Sequence, residues 1–351
     1  MTQLSQTPVA VTGGAGYIGS HAVKLLLEGG RRVVAVDHLG RGTRRAIDAL
    51  ETIAGGRLAF VESNIDDPGL AGVLREHGVR DVMHFAALAY VRESVERPLD
   101  YHANNTGKAI AFLRSCEAAG VERFVFSSTC ATYGEVDPAR IPISEDAPTV
   151  PINPYGWSKL AFERVLRDHA QNKKRQSELF AFAALRYFNV AGADPDGLIG
   201  ENHDPETHLI PNAILAATGA GPALTVYGDD HPTPDGTAVR DYIHVTDLAR
   251  AHVAVLDALE PGADERGRVY NLGLGRGVSI REILAAVERV TGHDVPVTWA
   301  ARHPADPPTL TADASKIGRE LGWRPEKTDL DEVVRTSFEW LKTHDRAGAV
   351  T

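Results

Sequence analysis

A tyrosine and a lysine four residues apart, Tyr155 and Lys159, are the strongest candidates for acid–base chemistry in this sequence. On a helix, two side chains at this spacing share one face, one turn apart. A free tyrosine has a pKa of about 10 and is a poor base at neutral pH. A cation at ~4 Å, in an effective dielectric of ~20, contributes on the order of 4 kcal/mol, or roughly three pKa units. Taken alone, the pair is also consistent with a half-buried tyrosine beside a solvated lysine.

A hydroxyl group that could work with this pair belongs to Thr129, which follows a predicted strand over Arg123–Ser127. Doubly wound sheets bind their ligands at the carboxyl ends of parallel strands. Thr129 could therefore hydrogen-bond a substrate hydroxyl and pass its proton toward Tyr155. The alternative is that Thr129 only caps the end of the strand.

A glycine-rich turn follows the first predicted strand and precedes a helical pattern. Gly13, Gly16 and Gly19 recur at three-residue spacing in this turn. Without a Cβ atom, glycine permits a tight turn, close approach of the backbone to a pyrophosphate, and packing of helix on strand. The N-terminus of the following helix adds N–H donors and the positive end of a dipole. The pattern therefore predicts a dinucleotide-binding turn.

The second predicted strand ends in Asp37. An acid at this position accepts hydrogen bonds from the adenosine ribose and repels a 2′-phosphate, which favours NAD over NADP. Asp37 could also be a plain turn or N-cap residue, and the nearby Arg41, Arg44 and Arg45 keep NADP open as the alternative. With NAD bound, its oxidised nicotinamide ring and Lys159 could together make Tyr155 a usable base.

The elements that must position these residues alternate along the first half of the chain. The predicted strands are Val9–Thr12, Arg32–Asp37, Leu58–Glu62, Asp81–Phe85, Arg123–Ser127 and Phe180–Tyr187. The predicted helices are Ile18–Glu28, Leu70–Glu76, Ala109–Ala119 and a longer one from Tyr155 to about Ala170. This alternation predicts an α/β fold with a doubly wound parallel sheet and right-handed crossovers.

The composition shifts after Asn189, because residues 192–240 are rich in Gly, Pro and Asp. Further elements are predicted over 242–259, 268–273 and 279–291, and mixed structure over 295–345. We therefore predict a nucleotide-binding domain over 1–190, with 242–275 returning to it. A smaller substrate domain would comprise 191–241 and 276–351.

The overall composition excludes several classes of protein. The formal net charge of −10 repels phosphate backbones, which argues against a nucleic-acid partner. The two cysteines, Cys116 and Cys130, fit neither a metal site nor a disulfide framework, so we predict no metal and a cytoplasmic location. We expect neither a signal peptide nor a membrane span, since no apolar run approaches ~18 residues.

Several stretches of the sequence together resemble the UDP-galactose 4-epimerases. They occur in the same order and cover nearly the whole chain: TGGAGYIGSH (12–21), HFAA (84–87), SSTCATYG (127–134), NPYGWSK (153–159), LRYFNVAGADP (185–195), ETHLIP (206–211), DGTAVRDYIHVTDLA (235–249) and ADASK (312–316). AYV at 89–91 and SSTCATYG are similar to the branch with bacterial exopolysaccharide epimerases and plant UDP-arabinose 4-epimerases. The resemblance implies an extended Rossmann fold with a smaller C-terminal substrate domain, a tightly held NAD and a homodimer.

The resemblance also implies roles for individual residues. Tyr155 would be the catalytic base, Lys159 its activator, and Thr129 the hydroxyl that accompanies them. The cofactor would contact Gly13, Gly16, Tyr17, Ile18, Gly19, Asp37, Asn64, Ile65, Phe85, Ala86, Ala87, Asn104, Ser127, Tyr155, Lys159 and Tyr187. The UDP-sugar would contact Asn189, His208, Leu209, Tyr227, Arg240, His303, Asp306 and Leu310. Among these, Tyr227 would stack near the uracil, and Arg240 and Asp306 would hold the diphosphate and ribose. Tyr227 could also be plain core, and Arg240 could pair with Asp241.

The sequence departs from the family's pattern at three positions. Asn64 replaces an aspartate near the adenine, and an amide can still accept from the adenine amino group. His303 replaces a second arginine, which puts the grip on the diphosphate in doubt because histidine is shorter and only partly charged at neutral pH. Arg92 stands where the family has glycine, and the sequence offers no account of it.

The reaction implied by the resemblance is a transient oxidation at carbon 4 of a UDP-sugar, with UDP-glucose and UDP-galactose as the expected pair. UDP-arabinose with UDP-xylose, or another UDP-sugar, is the alternative. A 4,6-dehydratase would carry Asp-Glu after the threonine, where this chain has Cys130 and Ala131. A uronic-acid substrate stays open, and a non-catalytic NAD-binding sensor could have lost Tyr155 or Lys159.

Overall fold

The computed structural model describes residues 7–262, 267–302 and 307–344. The strands are β1 Val9–Thr12, β2 Val33–Asp37, β3 Leu58–Glu62, β4 Asp81–His84, β5 Arg123–Ser127, β6 Ala181–Tyr187, β7 Asn189–Ala191, β8 Leu224–Tyr227, β9 Val239–Arg240, β10 Tyr242–His244, β11 Arg268–Leu272, β12 Val278–Ser279, β13 Val297–Ala300 and β14 Thr309–Leu310. The helices are α1 Tyr17–Glu28, α2 Arg44–Ala54, α3 Leu70–Glu76, α4 Val91–Glu96, α5 Pro98–His102, α6 Ala109–Ala119, α7 Pro154–Arg175, α8 Leu209–Ala217, α9 Val245–Ala258, α10 Ile280–Thr291, α11 Ser315–Leu321 and α12 Leu330–His344.

The central sheet has seven strands in the order β11-β6-β5-β4-β1-β2-β3. Each pair of neighbouring strands is parallel. The order reverses between β1 and β4, and such a switch point is where open α/β sheets form a ligand-binding crevice. The predicted doubly wound α/β fold is confirmed.

Two apolar layers cover the two faces of this sheet. Helices α1, α2 and α9 pack on one face, and α3, α6 and α7 on the other. The inner strands are buried along their whole length, as expected when helices cover both faces. Because the sheet is held rigid on both sides, the loops at its carboxyl edge are fixed relative to one another.

Segments that follow β6 form a further apolar cluster beside the carboxyl edge of the sheet. Helices α8, α10 and α12 pack together there. Short sheets surround them: β10 pairs with β7, β13 with β8, and β9 lies between β12 and β14. Strand β11 lies at the edge of the central sheet beside β6. The exact domain boundaries given above stay a prediction.

Some helices were not predicted from the sequence. Helix α2 carries a local signal that was overlooked: Thr43 caps it by accepting a hydrogen bond from the Ala46 N–H, and Ile47, Leu50 and Ala54 form its buried stripe. Helix α7 runs to Arg175 instead of ending near Ala170. In the described part of the chain, no helix combines the length and the apolar character needed to cross a membrane.

Candidate active site

A cleft of about 1310 Å³ lies along the carboxyl edge of the sheet, between the sheet and the later segments. Pockets for one small ligand commonly measure ~300–1,000 Å³. The cleft is therefore large enough to hold a dinucleotide and a second nucleotide-sized ligand together.

Most of the residues selected from the sequence line this cleft. The predicted cofactor-binding residues in its wall are Gly13, Gly16, Tyr17, Ile18, Gly19, Asp37, Asn64, Ile65, Phe85, Ala86, Ala87, Asn104, Tyr155, Lys159 and Tyr187. The predicted substrate residues in its wall are Asn189, His208, Leu209, Tyr227, Arg240 and Leu310, and Thr129 lies there too. His303 and Asp306 lie outside the described residues.

Ser127, predicted to touch the cofactor, lies behind the described residues that line the cleft, and its role toward the cofactor stays a prediction. Its side chain is buried behind the cleft wall, where its hydroxyl lies 2.8 Å from the Tyr187 hydroxyl. Its backbone carbonyl accepts a hydrogen bond from Lys159 Nζ at 2.9 Å. Ser127 therefore contacts two predicted cofactor residues, Tyr187 and Lys159, from a buried position.

The glycine turn depends on close backbone contacts at the switch point. Gly13 has φ +70°, and a Cβ atom there would lie 2.8 Å from the Ala86 nitrogen that follows β4. A Cβ atom on Gly19 would lie 2.1 Å from the Gly13 carbonyl oxygen. Gly16 caps the N-terminus of α1 with its backbone extended. These contacts bring the N-terminus of α1 to the cleft, as a pyrophosphate-binding turn requires.

Asp37 stabilises a turn and also lies in the cleft wall. Its Oδ2 accepts a hydrogen bond from the Ala15 N–H at 3.1 Å, and Oδ1 accepts one from the Leu39 N–H at 2.8 Å. The carboxylate thus ties the glycine turn to the end of β2 while it lines the cleft. A negative charge at this position disfavours a 2′-phosphate.

We expect Asp37→Ala to weaken NAD binding and to narrow the preference for NAD over NADP. Two causes combine, because the substitution removes the negative charge and also frees the glycine turn. Fluorescence titration of the stripped protein with each cofactor measures both affinities. Wild-type protein that carries NADP as isolated would contradict this assignment.

The first two turns of helix α7 carry Tyr155 and Lys159. Asn153 caps the helix by accepting a hydrogen bond from the Gly156 N–H at 2.8 Å, and Pro154 occupies the first turn. Tyr155 and Lys159 are 7% and 3% exposed, so both are held inside the protein wall. One turn further, a buried Glu163 anchors the helix to the sheet.

That anchor is a buried ion pair. Arg186 on β6 donates to Glu163 through Nε at 2.9 Å, and the Ser128 hydroxyl donates to Glu163 at 2.6 Å. A buried carboxylate needs such partners, since an unpaired one would be costly. The pair fixes α7 against the ends of β5 and β6, which sets the position of Tyr155 beside Thr129.

In the protein without NAD, burial has the largest effect on the pKa values of Tyr155 and Lys159. Burial raises the pKa of Tyr155 well above its ordinary value; nearby Tyr187 adds to this, and a hydrogen bond with Thr129 opposes it. Burial lowers the pKa of Lys159 to about 7, against the attraction of Glu163. In the protein without NAD the pKa of Tyr155 is therefore raised, which is opposite to the lowering expected from Lys159. The positive ring of a bound NAD would have to supply the difference.

Cys130 follows Thr129 in the cleft wall but is poorly suited to chemistry. Burial raises the pKa of its thiol to about 12, so the reactive thiolate is scarce at neutral pH. We expect Cys130→Ala to keep most of the activity in a steady-state assay. A loss beyond ~10-fold, about 1.4 kcal/mol of barrier, in a variant with unchanged thermal midpoint would reveal a role in the pocket.

On the substrate side of the cleft, Arg92 makes a contact that the sequence could not reveal. Its guanidinium carbon lies 4.9 Å from the ring centroid of Tyr227. Arg92 belongs to α4 and Tyr227 ends β8, so this cation–π contact joins two walls of the cleft. Tyr227 is 40% exposed, which excludes the alternative that it is plain core.

The two strands that carry Arg240 and Leu310 are adjacent. Leu310 on β14 pairs in parallel with Arg240 on β9, and both side chains line the cleft. The carboxylate of Asp241, the alternative partner of Arg240, accepts hydrogen bonds from the backbone N–H groups of Leu274, Gly275 and Ala312. Asp241 therefore holds the loop that supports this pair of strands.

Part of the cleft wall was not predicted from the sequence. Tyr90 lies there with its ring 4.1 Å from the Arg41 guanidinium carbon, and Arg41 also forms an ion pair with Glu93 at 2.6 Å. His203 and Glu206 line the cleft beside His208. The sequence signals available were that Tyr90 lies in AYV (89–91) and that Glu206 and His208 lie in ETHLIP (206–211).

Over residues 9–273 the sequence matches the NAD-dependent epimerase/dehydratase family. The chain belongs to this family. The predicted family and its dependence on NAD are confirmed. The residues of the glycine turn and the neighbouring wall suit that cofactor, because they combine close backbone approach, a helix N-terminus and the carboxylate of Asp37.

Relatives within the family match the chain over nearly its whole length. The UDP-glucose 4-epimerase of Lacticaseibacillus casei is 45% identical, over 96% of this chain and 97% of that protein. Probable UDP-arabinose 4-epimerase 1 of Oryza sativa subsp. japonica is 44% identical, over 96% of this chain and 80% of that protein. The crystal structure of UDP-glucose-4-epimerase from Stenotrophomonas maltophila, with bound NAD and formylated UDP-arabinopyranose, superposes with a TM-score of 0.90. It is 41% identical and covers 97% of this chain and 99% of that one.

Proposed function

We propose that this chain is an NAD-dependent UDP-sugar 4-epimerase that interconverts UDP-glucose and UDP-galactose through a transient 4-keto sugar. The observation that carries the proposal is the placement of Tyr155. Together with Thr129 and Lys159, it lines the same cleft as the glycine turn. A proton acceptor beside a dinucleotide site is what oxidation of a sugar hydroxyl requires. The UDP-glucose 4-epimerase of Lacticaseibacillus casei, at 45% identity, supports the choice of substrate.

Each residue of the site has a separate role in this reaction. Tyr155 takes the proton of the sugar's 4-hydroxyl, with Thr129 hydrogen-bonded between the two oxygens, and Lys159 holds positive charge beside the developing phenolate. When bound, NAD supplies the acceptor and then the donor of hydride at carbon 4. Arg240, Tyr227 and Asn189 keep the nucleotide anchored while the keto sugar turns over. A proton returned from Tyr155 to the 4-oxygen, with hydride delivered to the opposite face of carbon 4, would leave no net redox change.

Two other functions are less consistent with the site. A 4,6-dehydratase needs an extra acid and base to eliminate water, and the residues after Thr129 are Cys130 and Ala131. The high pKa of the Cys130 thiol, caused by burial, makes it a poor substitute for either. A non-catalytic NAD sensor gives no reason for a buried Tyr155 and Lys159.

A panel of UDP-sugars given to the purified protein tests the proposal. UDP-galactose should yield UDP-glucose with no added NAD and no net absorbance of NADH. Accumulation of a 4-keto-6-deoxy sugar would reveal a dehydratase, and binding of NAD without turnover of any sugar would favour the sensor.

A pentose substrate is the second candidate. The rice relative is a probable UDP-arabinose 4-epimerase, and the Stenotrophomonas protein holds a formylated UDP-arabinopyranose. The same residues serve both sugars, since the reacting carbon is C4 in each. The specificity constants for UDP-galactose and UDP-arabinose in the same panel decide between them.

Leu310 is expected to limit the size of the sugar. It packs against the small cluster around Tyr133, Ile143 and Phe188, so its displacement costs energy. We expect UDP-N-acetylgalactosamine to be a poor substrate and Leu310→Gly to raise activity on it more than on UDP-galactose. Discrimination by pocket volume is usually only ~10–200-fold. Specificity constants for the two sugars provide the measurement.

Leu310→Met is the matched control, because a swap that conserves volume should keep the wild-type preference. Equal specificity constants for the two sugars in the wild type would contradict this role of Leu310.

We also propose a cytoplasmic homodimer. Val95 and Leu99, 64% and 82% exposed, lie with Trp157 on α4, α5 and α7, which contact one another. Exposed apolar side chains gathered on adjacent helices favour a protein–protein contact. Both cysteines are free, which is consistent with a reducing compartment. Sedimentation equilibrium should give twice the chain mass, and Leu99→Glu should shift it toward the single-chain value.

A further inference from the structure

The loop before α8 gathers four side chains that typically bind transition metals. Glu201, His203, Glu206 and His208 each offer one ligand atom, and these atoms all lie within 4.8 Å of one another. We propose that this cluster is a site for a divalent first-row transition-metal ion of the zinc type. The inference is independent of the proposed epimerase activity, since metal binding is measured directly.

The ligand geometry fits such an ion. Zinc binds imidazole nitrogen and carboxylate oxygen at ~2.0–2.2 Å in a tetrahedral arrangement, so its ligand atoms lie ~3.3–3.6 Å apart. The four ligand atoms lie within 4.8 Å of one another, so the side chains have to close by up to about 1.5 Å around the ion. Imidazole ligands favour zinc and its neighbours over magnesium or calcium, which prefer all-oxygen sites.

The carboxylates keep oxygens for the ion. In the described part of the chain, Glu206 Oε1 accepts hydrogen bonds from the backbone N–H groups of Thr207 and His208, and the hydrogen bonds found for this carboxylate all use that oxygen. Those found for Glu201 also use Oε1, from the rings of His203 at 2.8 Å and of His208. The second oxygen of each carboxylate can therefore turn to the ion while the loop keeps its shape.

Charge and burial favour a divalent ion. The side chains of Glu201, Glu206 and His203 are 6%, 13% and 17% exposed, and the ion-pair partners found for Glu201 among the described residues are histidines. Two buried carboxylates balance one divalent cation once the ion has displaced a proton from the histidine rings, because metal binding releases ligand protons. His208 is 44% exposed on the cleft side, which gives the ion a route of entry and an open coordination position.

Aromatic rings surround the cluster. Tyr17 and Tyr90 contact the His203 ring edge-on, at centroid distances of 6.2 and 5.8 Å. Such an apolar wall limits water and strengthens the metal–ligand bonds. Because His208 and the following Leu209 are also expected to meet the UDP-sugar, a metal here would fix the loop that carries them.

The test uses the full chain without an affinity tag, treated with a chelator and dialysed. Calorimetric titration with zinc chloride should show one ion bound per chain. The midpoint temperature of thermal unfolding should rise with zinc concentration. Co²⁺ in place of zinc should give the intense visible bands of a four- or five-coordinate ion. His203→Ala and Glu206→Gln should each reduce the affinity by more than the ~10–100-fold that loss of an outer partner costs.

His293→Ala, which changes an exposed histidine outside the cluster, is the control and should bind as the wild type does. Either of the two ligand variants suffices if the other fails to fold. No stoichiometric zinc binding by the wild type would overturn the proposal and leave a hydrogen-bonded histidine–carboxylate network. Unchanged affinity in the folded ligand variants would also overturn it.

Discussion

Tyr155→Phe is expected to reduce kcat by ~10²–10⁴-fold, because it removes the group that accepts the proton of the sugar hydroxyl. The ring itself packs edge-on against Tyr101, at a centroid distance of 6.3 Å, and that packing survives the change. The protein should therefore stay folded and keep its NAD. The measurement is kcat for UDP-galactose, together with the amount of NAD released on denaturation.

Tyr270→Phe is the matched control, since it removes the same atom elsewhere. The Tyr270 hydroxyl donates to Glu320 at 2.7 Å and does not line the cleft. Near-wild-type kcat is expected for this control. If Tyr155→Phe also retained near-wild-type kcat, Tyr155 could not be the base.

Gly19→Ala is expected to weaken the binding of NAD strongly, and to lower activity with it. The new Cβ would lie 2.1 Å from the Gly13 carbonyl oxygen, so the turn and the start of α1 must move apart. Overpacking usually costs about 1–3 kcal/mol, occasionally more, and each 1.4 kcal/mol is a factor of ten in affinity. We therefore expect at least a ~10–100-fold loss of NAD affinity, measured by cofactor content and by titration.

Gly72→Ala provides the control for this substitution. Gly72 lies in α3, and a Cβ atom there meets nothing within 4 Å. It should keep full NAD content and gain about 0.5–1 kcal/mol of stability, since alanine suits a helix better than glycine. A Gly19→Ala protein that retained NAD would show that the cofactor does not approach this turn.

The strands and the glycine turn could be predicted because their signals are local. The apolar run of Val9–Thr12, the glycines behind it and Asp37 stand in the order that a βαβ unit needs, and the structure places them at the switch point. The pair on α7 was found from its helical spacing, and the structure shows that Asn153 caps this helix.

Features that join distant parts of the chain could not be predicted. The contact of Arg92 with Tyr227 spans the cleft, and neither residue carries a local signal for the other. The histidine–glutamate cluster depends on the path of one loop, which periodicity does not describe. The pKa of Lys159 falls to about 7 because the helix buries it, and the amount of burial follows from tertiary packing alone.

The most direct test of the central claim follows the hydrogen on carbon 4. UDP-galactose carrying deuterium at C4 is incubated with the purified protein in ordinary water, and the UDP-glucose formed is analysed by NMR and mass spectrometry. Transient hydride transfer to a bound NAD returns the same atom to the sugar, so the product should retain deuterium at C4. UDP-glucose carrying solvent hydrogen at C4, or no UDP-glucose at all, would contradict the account.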